Sequence, residues 1–286
     1  MIIRTLASAL LLCGMAAPAL AQEAETAPPA EITVSGSVAL VSDYRFRGVS
    51  QSDEEGAIQG GFTVAHESGF YVGAWASNLA GWGTFGGANI ELDLVGGYKV
   101  AVGGGTVDVG VTWYMYPGGS DETDFAELYA KLSGTTGPLS LTAGVAYAPP
   151  QEALGRWSFT GQNAQDVLAG VAPYDDAGDK EDNLYLWGDA AVAVPNAPLT
   201  AKAHIGYSDG NRGLGPNGTS VAPTGKYWDW SAGLDLSLAP VTLGVAYVDT
   251  DITERESAYL LPNFSSTKDG SPISDAQVVF SISVGF

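Results

Sequence analysis

The chain has 286 residues, with twelve Lys and Arg against thirty-two Asp and Glu, a formal net charge of −20. That acidity excludes a nucleic-acid partner, whose phosphates need a basic surface. The single cysteine, Cys13, excludes a disulfide framework and a cysteine-based metal site.

Residues 1–21, MIIRTLASALLLCGMAAPALA, carry Arg4, an apolar run and the small-residue ending Ala19-Leu20-Ala21. This is the pattern of a secretory signal peptide, with cleavage expected before Gln22. Cys13 lies inside the apolar run behind the bulky Leu12, which argues against a lipid anchor. Cleavage removes one Arg and leaves eleven basic and thirty-two acidic residues, a net of −21 (11 − 32). Residues 22–31 are a polar, Pro-containing flexible linker. Beyond it, no segment reaches the roughly 18 consecutive apolar residues of a transmembrane helix.

From Ile32 onward the period is two. In ITVSGSVALVSDYRFRG, Ile32, Val34, Val38, Leu40, Tyr44 and Phe46 share one parity, and Thr33, Ser35, Ser37, Asp43, Arg45 and Arg47 share the other. Successive strand residues point to opposite faces, so one face is apolar and the other polar. AIQGGFTVA follows with Ile58, Phe62 and Val64. FYVGAWASN, residues 70–78, reads as a strand whose phase stays open. NIELDLVGGYKV sets Ile90, Leu92, Leu94 and Tyr98 against Glu91, Asp93 and Lys99. TVDVGVTWYMY sets Val109, Val111 and Trp113 against Asp108, Thr112 and Tyr114, and FAELYAKLSG sets Leu128 and Leu132 against Glu127, Tyr129 and Lys131.

LSLTAGVAY, NLYLWGDAAVAV, LTAKAHIGYS and YWDWSAGLDLSL continue the alternation. In them Asn183, Tyr185, Trp187, Asp189, Lys202, His204, Asp229 and Asp235 fall on the polar parity. VTLGVAYV and AQVVFSISVGF complete about twelve strands. Short turns (HESG, AVGGG, GTTGP, PNAP, LAP) alternate with longer polar loops at 48–56, 80–88, 117–124, 149–181, 209–226 and 249–274. An even strand number with short turns on one rim and long loops on the other predicts an all-β fold. It is a transmembrane antiparallel up-and-down β-barrel with periplasmic turns and extracellular loops over residues 32–286. Lipid leaves no partner for an open sheet edge, so the barrel must close.

The stretches SDYRFRGVSQSD, AIQGGFTVAHESGFYVGAWASN and NIELDLVGGY resemble the TorF family, a Gcw_chp type of bacterial outer-membrane protein with porin character. The likeness is dense over about residues 36–100 and rests on strand pattern thereafter. VVFSISVGF, ending in Phe286, resembles the terminal strand by which outer-membrane proteins are recognised by their assembly machinery. The resemblance implies an outer-membrane barrel with a transport role. It supplies no substrate and no catalytic residue.

A first strand running outward as far as Arg47 puts Tyr44 and Phe46 at the lipid interface, where aromatics are favoured. Trp113, Tyr147, Tyr207, Trp228 and Trp230 join them in a girdle. Arg45 and Arg47 then face the lumen near the outer mouth, because arginine in lipid costs a few kcal/mol. Asp43, Glu91, Asp93, Glu127 and Asp229 face the same region. Together these seven residues are the expected pore lining or constriction, since opposed charges across a narrow lumen select ions. Two readings stay open: an open path lined by charge, or ion pairs that pin a closed barrel.

Other chemistry is sparse. His204 and Ser208 are four apart on one strand, roughly 13 Å by strand rise, too far for a nucleophile and its base. The acidic loop 174–183 lacks the spacing of a Ca²⁺ loop, and GQNAQDVLAGV, residues 161–171, predicts a short helix. The glycosylation pattern at Asn217 is a chance match. No enzymatic activity and no cofactor are expected. The expected role is a passive outer-membrane channel for small polar or ionic solutes, with weak cation preference. The alternative is a non-conducting barrel that acts through its loops. The expected partners are outer-membrane lipid and lipopolysaccharide, the assembly machinery through Phe286, and small solutes.

Overall fold

A computed structural model of the chain describes residues 31–84, 86–155, 161–171, 180–210, 225–253 and 265–286. The signal peptide, all of the linker but Glu31, most of the acidic loop 174–183, and Asn217 lie outside the described residues.

Among the described residues fourteen strands follow in chain order: β1 (Ile32–Val41), β2 (Arg45–Phe46), β3 (Val49–Ser50), β4 (Ala57–His66), β5 (Phe70–Asn78), β6 (Ile90–Val102) and β7 (Gly105–Met115), then β8 (Phe125–Thr136), β9 (Leu139–Gln151), β10 (Glu181–Ala193), β11 (Leu199–Gly210), β12 (Tyr227–Leu238), β13 (Val241–Thr250) and β14 (Gln277–Gly285). All except β2 and β3 form one closed antiparallel barrel of twelve strands in sequence order. The seam joins β1 to β14, from Ser37 opposite Gly285 to Val41 opposite Ser281. At its end Phe286 and Gly36 exchange backbone hydrogen bonds of 2.8 and 2.9 Å.

The alternation decides which side each residue faces. Val34, Leu40, Phe62, Leu94, Leu128, Leu132, Ile205, Leu234 and Phe280 all point outward and are exposed. The fold therefore presents an apolar belt around its outside, as a barrel sitting in lipid requires. Phe70 and Val72 join that belt while Tyr71 turns inward and is buried, which sets the phase of β5. Trp113, Tyr147 and Trp228 are exposed on the same outer surface, and Tyr207 packs on Trp228 with ring centroids 4.8 Å apart.

On the inside, large rings lie flat over glycines of the neighbouring strands. Tyr71 covers Gly97, Tyr129 covers Gly110, Trp187 covers Gly144 and Tyr185 covers Gly206, and a Cβ at any of these glycines would collide with the ring above it. The glycines thus let aromatic side chains follow the wall instead of projecting across the barrel.

One expectation is overturned. β1 stops at Val41 instead of running to Arg47, and Tyr44 and Phe46 do not reach lipid; they are buried inside the barrel. The reason is local. The Asp43 carboxylate accepts hydrogen bonds from Ser50 Oγ (2.5 Å), Ser52 Oγ (3.2 Å) and Arg45 Nε (2.5 Å). That set of bonds satisfies a turn that bends the chain into the barrel. β2 and β3 then pair as a small inner hairpin, Phe46 opposite Val49 and Arg45 opposite Ser50. Its two turn residues, Arg47 and Gly48, have φ of 49° and 82°, the left-handed pair of a tight hairpin turn. Both faces of this hairpin are interior, so its alternation no longer separates lipid from lumen. The helix expected over 161–171 is present as α1 (Gly161–Leu168), in the connection between β9 and β10.

Candidate functional site

The hairpin crosses the barrel at the long-loop rim. From β1 it reaches the far wall, where Gly48 packs so closely on Thr250 and Asp229 that a Cβ would overlap both. The Tyr227 hydroxyl donates to the Arg47 carbonyl oxygen at 3.1 Å. Tyr44 and Phe46 pack with Ala39, Val41, Ala57, Leu79, Tyr114 and Phe125 in one cluster. Tyr114 stacks on Phe125 with centroids 4.4 Å apart, and Trp75 meets Tyr44 edge-on at 5.4 Å. Burial of these rings is what holds the hairpin against the β5–β8 wall.

The two arginines have different surroundings. Arg45 forms ion pairs with Asp43 at 2.5 Å and Glu54 at 2.9 Å. It also donates to the carbonyls of Gly48 (3.0 Å), Ile273 (2.8 Å) and Asp275 (3.0 Å). Segment 265–275 thus straps the hairpin from the loop side, helped by Thr267 Oγ1 donating to Asp53 (2.9 Å) and by Lys268 Nζ against Glu55 (2.5 Å). Arg47 instead sends its guanidinium across to β8, where Nη2 lies 2.7 Å from each oxygen of Glu127. It also covers the Tyr185 ring at 4.1 Å, a cation–π arrangement that strengthens away from water.

The other expected site residues gather at this level. Glu91 accepts from the Tyr44 hydroxyl at 3.1 Å. Asp93 lies beside it, fully buried, with the Glu91 carboxyl as its hydrogen-bonding neighbour. Asp229 accepts from the Tyr185 hydroxyl at 3.0 Å and pairs with His204 Nε2 at 3.1 Å. All seven residues named from the sequence are therefore brought together, at the hairpin and the walls it touches.

Toward the short-turn rim the barrel opens into a vestibule of about 290 Å³. Asp108 accepts from the Tyr71 hydroxyl at 2.6 Å and lies 3.3 Å from Lys131 and 4.0 Å from Lys99. Lys202 pairs with Asp235 at 2.6 Å, and Asp189 with His204 Nδ1 at 2.6 Å. The side chains of His204 and Asp189 remain 25% and 27% exposed, whereas those of Arg45 and Asp43 fall to 3% and 2%. The charged wall of the cavity belongs to β8 and β10–β12. Opposite it, β13 and β14 offer uncharged residues, Gly244, Val245, Ala246, Val248, Val279 and Ser281.

Three lysines face three carboxylates in the vestibule, so the acid excess of the interior sits at the mouth. Ser208 Oγ bonds to Asn183 at 3.2 Å, while both ring nitrogens of His204 are engaged by Asp189 and Asp229.

Sequence reasoning missed the inner hairpin, the Tyr185 and Tyr227 contacts to its tip, and the strap at Ile273. A signal was present. Val38-Ala39-Leu40-Val41 is apolar on both parities, which requires an apolar cover on the inner wall.

Comparison with known proteins agrees with this architecture. No curated protein matches the sequence. A solved structure of the NanC porin is similar with a TM-score of 0.51 at 12% identity, covering 89% of this chain and 99% of that one. An outer membrane channel from Pseudomonas putida F1 covers 91% of this chain and 99% of its own at 10% identity, with a TM-score of 0.39. The first of these likenesses shows the fold, a porin-type barrel. Residues 23–286 match the family described as "Bacterial protein of unknown function (Gcw_chp)", and the chain belongs to that family.

Proposed function

We propose that the chain is a porin-like channel of the bacterial outer membrane, of the TorF type, passing small polar or ionic solutes without catalysis. The observation that carries this reading is a charge-lined cavity of about 290 Å³ inside a closed barrel whose outer wall is apolar. An apolar outer wall suits lipid, and a charged lining that stays partly exposed to the cavity suits water or solute inside it. With the short turns in the periplasm, the hairpin stands at the outer mouth. Asp43, Arg45, Arg47, Glu91, Asp93, Glu127 and Asp229 are then the constriction, and their excess of carboxylates favours cations weakly. Outer-membrane lipid and lipopolysaccharide surround the belt. The ring of Phe286, which lies over Gly36, marks the terminal strand for the assembly machinery.

Reconstitution of the mature chain in a planar bilayer tests the reading. A stable conductance with a reversal potential displaced modestly toward cations supports it. Absence of conductance, or anion selectivity, counts against it. A second reading is favoured by the dryness of the mouth, where Tyr44, Arg45 and Phe46 are at most 5% exposed. In that reading the barrel is a closed surface element that acts through its loops. Exchange of the outer loops with no change in permeability supports the second reading over the first.

A further inference from the structure

The hairpin is fastened unequally. Its base is tied by four Arg45 interactions, two of them to the strap at Ile273 and Asp275, and a fifth reaches the Gly48 carbonyl at the tip. Its tip is held by the Arg47–Glu127 pair, the bond from Tyr227 and the face of Tyr185. The tip is also strained, because Arg47 has a φ of 49°, a region that residues other than Gly, Asn and Asp rarely adopt.

Two carboxyl groups flank the tip, Glu127 on β8 and Asp229 on β12, and Glu91 and Asp93 on β6 extend the arc behind Tyr44. Each is at most 3% exposed. Arg47 is the cation that the tip brings to this arc, and His204 reaches Asp229 from the vestibule below. Among the described residues Asp93 has no cationic partner, and its neighbour is the Glu91 carboxyl. Carboxylates in a dry interior need counter-charge or water, and this arc has little of either while the tip is seated.

We propose that the hairpin tip is the gate of the channel. Arg45 is its fixed pivot and Arg47 its latch, and withdrawal of Arg47 uncovers a carboxylate arc that draws in water and cations. This rests on the channel reading above. Seated, the tip neutralises part of the arc and excludes water. Displaced, it leaves Glu127 and Asp229 facing the path with no arginine between them, backed by Glu91 and Asp93, a lining of one sign that selects cations.

The test is bilayer conductance and reversal potential of the mature chain carrying Arg47→Asn, with Arg47→Asn/Glu127→Gln beside it. Asn followed by Gly suits the left-handed turn, so the first variant keeps the hairpin and removes only the latch. Folding is checked by the heat-dependent shift in gel mobility. Arg47→Asn is expected to raise conductance severalfold over wild type and to move the reversal potential toward cations. The double variant is expected to keep the raised conductance and lose part of the cation shift. Arg47→Lys, which keeps the charge without the planar guanidinium that reaches Glu127 and covers Tyr185, is expected to fall between wild type and Arg47→Asn. If wild type conducts and Arg47→Asn matches it in conductance or selectivity, the gate is wrong and the channel reading stands. If neither conducts, both fall.

Discussion

The two halves of the barrel interior are built from similar residues and behave as different materials. At the loop rim, charged groups are sealed among aromatic rings and backbone carbonyls. In the vestibule, Lys131–Asp108 and Lys202–Asp235 face open space, with lysine side chains 14% and 18% exposed. The difference is the fifteen-residue connection 42–56, which folds inward and supplies a small apolar core to one half only. An ion pair in the wet half is exchangeable with water, whereas one in the dry half has no substitute partner.

That contrast can be broken most severely at Arg45. Arg45→Met leaves Asp43 buried without its cation and frees the carbonyls of Ile273 and Asp275. A loss of about 3–5 kcal/mol is expected for breaking such a buried pair from one side. The temperature at which the barrel loses its folded gel mobility should fall clearly, and an unchanged midpoint would show that the mouth is held by its aromatic cluster instead.

Gly48→Ala acts next. Handedness alone costs roughly 1–2 kcal/mol there, and the added methyl overlaps Thr250 and Asp229. The tip should lift, so trypsin added outside proteoliposomes should cut after Arg47 faster than in wild type. Equal cleavage rates would argue that the wall yields and the tip stays seated.

Gly144→Ala disturbs the wet half instead. The new Cβ displaces the Trp187 ring from the wall, and because a ring can turn away the cost is placed near 1 kcal/mol. Acrylamide quenching of tryptophan fluorescence should rise as the indole enters the vestibule. Lys202→Ala should do least. Its pair with Asp235 is partly solvated, so stability should change by less than about 1 kcal/mol, and a larger loss would show the vestibule to be drier than its exposures indicate.

Much of the fold was legible because period two has a strong physical cause in a barrel with lipid outside and charge inside. The inward faces of Glu91, Asp93, Glu127 and Asp229 follow from their parity against Leu92, Leu94, Leu128 and Trp228. Tyr44 and Phe46 were misplaced because alternation reports which face of a strand a residue shares, and does not report where the strand ends. Asp43, with Ser50 and Ser52 downstream, ends it through bonds that close only once the chain has turned.

The barrel, its strand faces and its charged interior were determined by the sequence alone, since hydrophobic periodicity and turn length act locally. Only the tertiary structure decided that Arg45 is riveted among carbonyls from residues 273 and 275 while Arg47 meets Glu127 across the barrel. Those partners are separated by tens to hundreds of residues in sequence, and closure of the cylinder is what brings them within bonding distance.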